Sequence, residues 1–239
     1  MALTKGLNGI WRVIPSPAIT EIIAQSGFDF QILDCEHGAY DYQTLENDIR
    51  ACALHNCLPF VRVSGLNNVE VQRCLDLGAA GIVFPQLVTF EHFKTAVSLL
   101  SYAPEGIRGF NPFVRAWNYG VFEEKPKKPF CITIVETLQA VNDLDNILGL
   151  QGIDCIYIGS YDLSAQLGCI GEMDNQKLVN MVNDIINKCK KASVPVGLMV
   201  SNAEQYQKYI DAGVDTFVHT VESHKIKQMF TAVIHQVKP

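Results

Sequence analysis

The stretch SPAITEIIAQSGFDFQILDCEHG, residues 16–38, contains the architecture in miniature. Ser16-Pro17 has the form of a helix start: a hydroxyl to cap the first free amides, then a proline whose fixed φ suits the first turn. Ile19, Ile22 and Ile23 share one helical face, and Gly27 supplies the left-handed residue on which such a helix stops. The apolar run 28–33 follows. Asp29 and Gln31 interrupt it, but the apolar runs of the chain as a set are nearly continuous rather than alternating, as strands covered on both faces should be. The run 28–33 leads into a polar cluster, Asp34-Cys35-Glu36-His37-Gly38.

The unit recurs along the chain. Further apolar runs lie at 9–13, 59–63, 81–84, 131–135, 155–158, 194–200 and 216–218, with helical patterns at 44–55, 68–77, 89–101, 137–148, 175–191, 203–212 and 223–237. The junction Gly27-Phe28-Asp29 returns as Gly78-Ala79-Ala80, Gly152-Ile153-Asp154 and Gly213-Val214-Asp215. Eight strand-then-helix units in 239 residues predict an α/β fold, a (β/α)8 TIM barrel forming a single domain over 1–239. A doubly wound open sheet also alternates, but no G-x-G-x-x-G follows the first run. The long irregular stretch 102–129 is expected to be a functional loop.

A formal charge of −6 argues against nucleic acid or an anionic membrane as the main partner. No apolar stretch reaches the roughly 18 residues of a membrane span. The eight cysteines form no C-x-x-C pair and no signal peptide opens the chain, which predicts a cytoplasmic protein with mostly buried thiols. Lys125, Lys127 and Lys128, set among prolines, read as a solvated loop.

A parallel barrel carries its active site at the strand C-termini. The polar residues expected there are Asp34, Glu36 and His37, then Arg62, Gln86, Glu136, Asp162 with Ser160, Ser201 and His219. Glu136 and Asp162 close adjacent strands and are suited to share a hard divalent cation; the alternative is a rim residue and a helix cap. Arg62 interrupts an apolar strand, where a guanidinium suits a carboxylate or an enolate oxygen, or else a structural ion pair. His37 directly follows a strand and is a candidate for proton transfer at neutral pH. No lysine falls within or at the C-terminal end of a predicted strand, which argues against a Schiff-base mechanism. His219 reads as a packed rim histidine, and nothing marks Cys35 as a nucleophile.

These residues carry a family resemblance. Gly27-Phe28-Asp29-Phe30, with Leu33-Asp34-Cys35-Glu36-His37-Gly38, is similar to the G-F-D-x-x-x-x-D-x-E-H segment of the HpcH/HpaI aldolases, metal-dependent class II aldolases of 2-keto-3-deoxy and 4-hydroxy-2-oxo acids. Val61-Arg62, Leu75-Asp76-Leu77-Gly78-Ala79, Tyr102-Ala103-Pro104-Glu105-Gly106-Ile107-Arg108-Gly109, Val135-Glu136-Thr137 and Ile158-Gly159-Ser160-Tyr161-Asp162-Leu163-Ser164 extend it from about residue 6 to the C-terminus. The resemblance implies a barrel using Mg²⁺, Mn²⁺ or Co²⁺, with Glu136 and Asp162 as metal ligands and Arg62 on the pyruvyl oxygen. It implies His37 as acid and base, supported by Asp34 and Asp76, and Gly159 and Ser160 offering N–H groups to the pyruvate carboxylate. It also implies a homo-oligomer, dimer to hexamer, with sites near subunit interfaces and the last helix as a contact. Two departures from the family pattern stand out: Ile134 replaces a glutamine, and Ser160-Tyr161-Asp162 replaces Pro-Ala-Asp. Two further readings stay open, a CoA-thioester lyase of the citrate or malyl-CoA type and a catalytically lapsed barrel that binds a metabolite.

Overall fold

The computed structural model describes Leu3, residues 6–121 and residues 127–238. Lys5, Lys125 and part of the 102–129 stretch lie outside the described residues. In chain order the elements are β1 (Leu7–Arg12), α1 (Pro17–Gln25), β2 (Phe30–Asp34), α2 (Tyr42–Leu54), β3 (Leu58–Arg62) and α3 (Asn68–Asp76). Then come β4 (Gly81–Phe84), α4 (Phe90–Leu100), β5 (Phe130–Val135), α5 (Leu138–Asn142), α6 (Leu144–Ile147) and β6 (Cys155–Ile158). The chain ends with α7 (Ser160–Gln166), α8 (Gln176–Ala192), β7 (Val196–Met199), α9 (Ala203–Ala212), β8 (Thr216–Val221) and α10 (Glu222–Val237). All strands pair in parallel with their sequence neighbours, and β8 returns to β1, closing the barrel.

Alternation explains the continuous apolar runs. Trp11, Phe30, Ile32, Phe60, Val83, Ile134 and Tyr157 pack inside the barrel. Their neighbours Leu33, Val61, Ile82, Val135 and Ile156 pack between strands and helices. The four repeated glycines all take positive φ, from 91° to 104°, and turn the chain from helix to strand. In three of these junctions the aspartate does a second job. Asp29, Asp154 and Asp215 accept the backbone N–H of Asn8, Cys131 and Val196, at the start of the preceding strand in each case.

Three expectations change. The helix expected at 137–148 breaks at Asp143, which ends α5 and begins α6. The segment after β6, expected as a strand end, is the first turn of α7. The described parts of 102–129, between α4 and β5, lie at the N-terminal face of the barrel, opposite the strand C-termini. There Arg115 donates to the Leu77 carbonyl, and Tyr102, Phe110 and Trp117 pack edge to face or tilted.

A buried charge cluster fastens the first and last elements. Arg12 points outward from β1 yet is fully buried, donating to Thr20 Oγ1 at 2.6 Å and Gln31 Oε1 at 2.8 Å. Its guanidinium lies 3.7 Å from Asp48 and 3.5 Å from Glu222. Glu222 in turn accepts the N–H groups of Val13 and Ile14 and so pins the start of α10 to the β1–α1 loop. Removing one partner of a buried ion group strands the others without compensation, at about 3–5 kcal/mol. Arg12→Met should therefore lower the urea midpoint by about that free energy at an unchanged slope. A midpoint close to that of the wild type would mean that the cluster is energetically idle.

Candidate active site

Asp34 ends β2 directly beside Arg62 at the end of β3. The aspartate is 1% exposed, and Arg62 grips both its oxygens, Nε to Oδ1 at 2.9 Å and Nη2 to Oδ2 at 2.5 Å. Trp11 Nε1 and the backbone N–H groups of Glu36 and His37 also donate to it. Burial opposes the charge of Asp34, but the hydrogen bonds and charge of Arg62, helped by His37 and Trp11, prevail and hold its carboxyl below the usual range. The Arg62 guanidinium lies 4.7 Å over the Trp11 ring, and its Nη1 is 2.7 Å from Glu36.

Glu136 follows β5 and is 5% exposed. Its side chain lies against Gly159: a Cβ there would meet the Glu136 Cβ at 2.5 Å, so glycine is required. The backbone N–H of Gln86 donates to one Glu136 oxygen. Burial pushes this carboxyl up to about 7; Asp162 and Glu36 add to the rise, while the Gln86 amide and Arg62 oppose it. Asp162 sits in the first turn of α7 and lines the same cavity. Among the described residues no three His, Cys, Asp or Glu side chains form a metal cluster. A buried carboxyl with a second carboxylate beside the same cavity still suits a hard cation whose remaining positions go to water and substrate oxygens.

The cavity, about 410 Å³, opens at the strand C-termini. Asp34, His37, Arg62, Glu136, Gly159, Ser160 and Asp162 line it together. Trp11, Ile134 and Tyr157 supply an apolar wall. No lysine lines it among the described residues; Lys127 and Lys128 border a separate hollow with Leu58 and Phe130 at the opposite face.

Within one chain the remaining sequence-predicted residues fall in different places. Asp76 ends α3 at the N-terminal face and pairs with Arg108 at 2.9 Å, so it does not reach His37 of its own chain. Asp34 holds the backbone of His37, not its ring; the imidazole is 70% exposed, 4.0 Å from Glu36. The Gly159 N–H donates to the Val135 carbonyl and is not free, whereas the Ser160 N–H has no partner among the described residues. His219 is packed between Phe28 and Tyr206 and bonded to Asn8, outside the cavity. Burial pushes the Cys35 thiol up to about 12, which makes it a poor nucleophile.

The family model for HpcH/HpaI aldolase/citrate lyase matches residues 8–227. The chain belongs to the HpcH/HpaI aldolase/citrate lyase family. A 5-keto-4-deoxy-D-glucarate aldolase of Shigella boydii is 31% identical over 214 residues, 88% of this chain and 83% of the relative. An HpcH/HpaI family protein of Burkholderia cenocepacia superposes with a TM-score of 0.92 at 26% identity, covering 98% of this chain and 95% of the other. The citrate synthase SbnG superposes with a TM-score of 0.88 at 29% identity, covering 98% and 94%. This family member is a lyase of the aldolase kind.

Glu136 would have to shed its proton to ligate a cation, so with Glu136 as a ligand Mn²⁺ affinity should rise about tenfold per pH unit below about 7 and level off above it. The same carboxyl makes the metal-free protein less stable as pH climbs from 4.5 through about 7, because the fold retains a proton that the unfolded chain has released. Calorimetric titration of Mn²⁺ across this range checks the first expectation, and a flat affinity contradicts it.

Proposed function

We propose that this chain reversibly cleaves a 2-keto-4-hydroxy acid to pyruvate and an aldehyde. The observation that carries the reading is one cavity holding an anchored guanidinium, Arg62, together with a buried and a solvent-exposed carboxylate, Glu136 and Asp162. Glu136 and Asp162 would hold a divalent cation, Mg²⁺, Mn²⁺ or Co²⁺. When bound, that cation supplies Lewis-acid stabilisation of the charge developing on the 2-keto oxygen, worth several kcal/mol.

The chain's own residues do the rest. Asp34 and Glu36 occupy part of the Arg62 guanidinium, and its remaining N–H groups are offered to the oxygen that gains charge. The Ser160 N–H is offered to the substrate carboxylate. His37, at the mouth, accepts the proton of the 4-hydroxyl group. The C3–C4 bond then breaks: its electron pair passes to the pyruvate enolate and the aldehyde departs. A proton delivered to C3 completes pyruvate. Trp11, Ile134 and Tyr157 keep that face of the cavity dry, which strengthens each polar contact.

The absence of lysines at this mouth, among the described residues, favours a free keto acid over a CoA thioester. In condensations of pyruvate with a panel of aldehydes at saturating Mn²⁺, Glu136→Gln should lose on the order of 10²–10³-fold in turnover. Turnover within a few-fold of wild type would sink the assignment.

A homo-oligomer is part of the same proposal. The helix α10 buries only Glu222, and Met229, Phe230, Val233, Ile234 and Val237 form an exposed apolar stripe along it. Such a stripe at helical spacing suits a second copy of the chain. Phe230→Asp should shift the protein to a smaller species in light scattering. A wild type that runs as a monomer would contradict the assignment of this face.

A further inference from the structure

We propose that Gln86 is a positioning residue that sets Arg62 through Glu36, an inference that rests on the enolate chemistry above. Gln86 follows Pro85 just beyond β4, on the exposed rim. Its φ is +55°, a left-handed conformation that glycine adopts at least cost. A longer side chain at such a position points to a use for that side chain.

The contacts show what the use is. The backbone N–H of Gln86 donates to Glu136, and its side-chain Nε2 donates to Glu36 Oε1 at 2.6 Å. The other Glu36 oxygen lies 2.7 Å from Arg62 Nη1. That oxygen has an ion pair but no well-directed hydrogen bond. The Gln86 amide is therefore the directed bond that orients the Glu36 side chain. Without it the carboxylate is free to turn away from Arg62, which keeps Asp34 as its anchor but loses the contact on Nη1. Glu36 Oε2 also lies 4.0 Å from His37 Nε2, so its orientation bears on the imidazole as well. One residue thus acts twice, its main chain on the cation carboxylate and its side chain on the route to Arg62.

This division of labour can be separated by substitution. Gln86→Met removes the amide and keeps the backbone N–H; Gln86→Glu sets a carboxylate against Glu36. Neither touches the core. The measurements are deuterium exchange of the pyruvate methyl group in D₂O with Mn²⁺, giving kcat and KM, and the Kd for Mn²⁺ alone. The exchange kcat should fall about tenfold in Gln86→Met and about a hundredfold in Gln86→Glu, with KM and Mn²⁺ Kd within about threefold of wild type. Exchange at the wild-type rate in Gln86→Met overturns the relay. A loss of rate matched by an equal loss of Mn²⁺ affinity also overturns it, since that marks general damage to the site. A wild type that binds Mn²⁺ and exchanges nothing overturns the enolate reading and the relay with it, an outcome distinct from the other two.

Discussion

The forked pair between Arg62 and Asp34 is the constraint on which the barrel mouth depends. Burying a carboxylate and a guanidinium costs several kcal/mol each, which only good geometry and further hydrogen bonds offset. Here both conditions hold, because adjacent parallel strands place the two residues in register and three more donors complete Asp34. The pair then organises its surroundings. It seats the guanidinium on Trp11, fixes the backbone that presents Glu36 and His37, and leaves Arg62 facing the cavity.

Glu136 is the counterpart. It lies at the same end of the barrel and is about as buried as Asp34, and among the described residues no cationic side chain pairs with it. One carboxyl is held below its ordinary range and the other pushed up to about 7. Environments that drive two acids apart in this way separate their roles. Asp34 is a fixed anion that holds Arg62. Glu136 is an underpaired one, suited to take a positive charge from outside the chain.

Much of this was legible in the residues. The eight strands were legible because burial on two faces leaves unbroken apolar runs, and the glycines because only a left-handed residue makes that turn. The cavity residues followed from strand order, since the barrel brings every strand C-terminus to one end. What stayed hidden depends on direction and on the main chain. Arg12 looks like any strand-end cation until helices α1, α2 and α10 close over it. Whether the Gly159 N–H is free is not written in a residue type, nor is the donation from Gln86 to Glu136. The placement of the described parts of 102–129 does have a signal in the sequence. It follows a helix and precedes a strand, and such connections lie at the face away from the site. Asp76, at the end of a helix, carried the same signal.

The proposed chemistry requires Glu136 and Asp162 to share one cation that meets pyruvate. Electron paramagnetic resonance of Mn²⁺ titrated into the wild type, Glu136→Gln and Asp162→Asn tests it most directly. One tightly bound Mn²⁺ per wild-type chain, a spectrum altered by added pyruvate, and weakened binding in both variants are expected. Equal Mn²⁺ uptake and the same pyruvate response in all three proteins would contradict it.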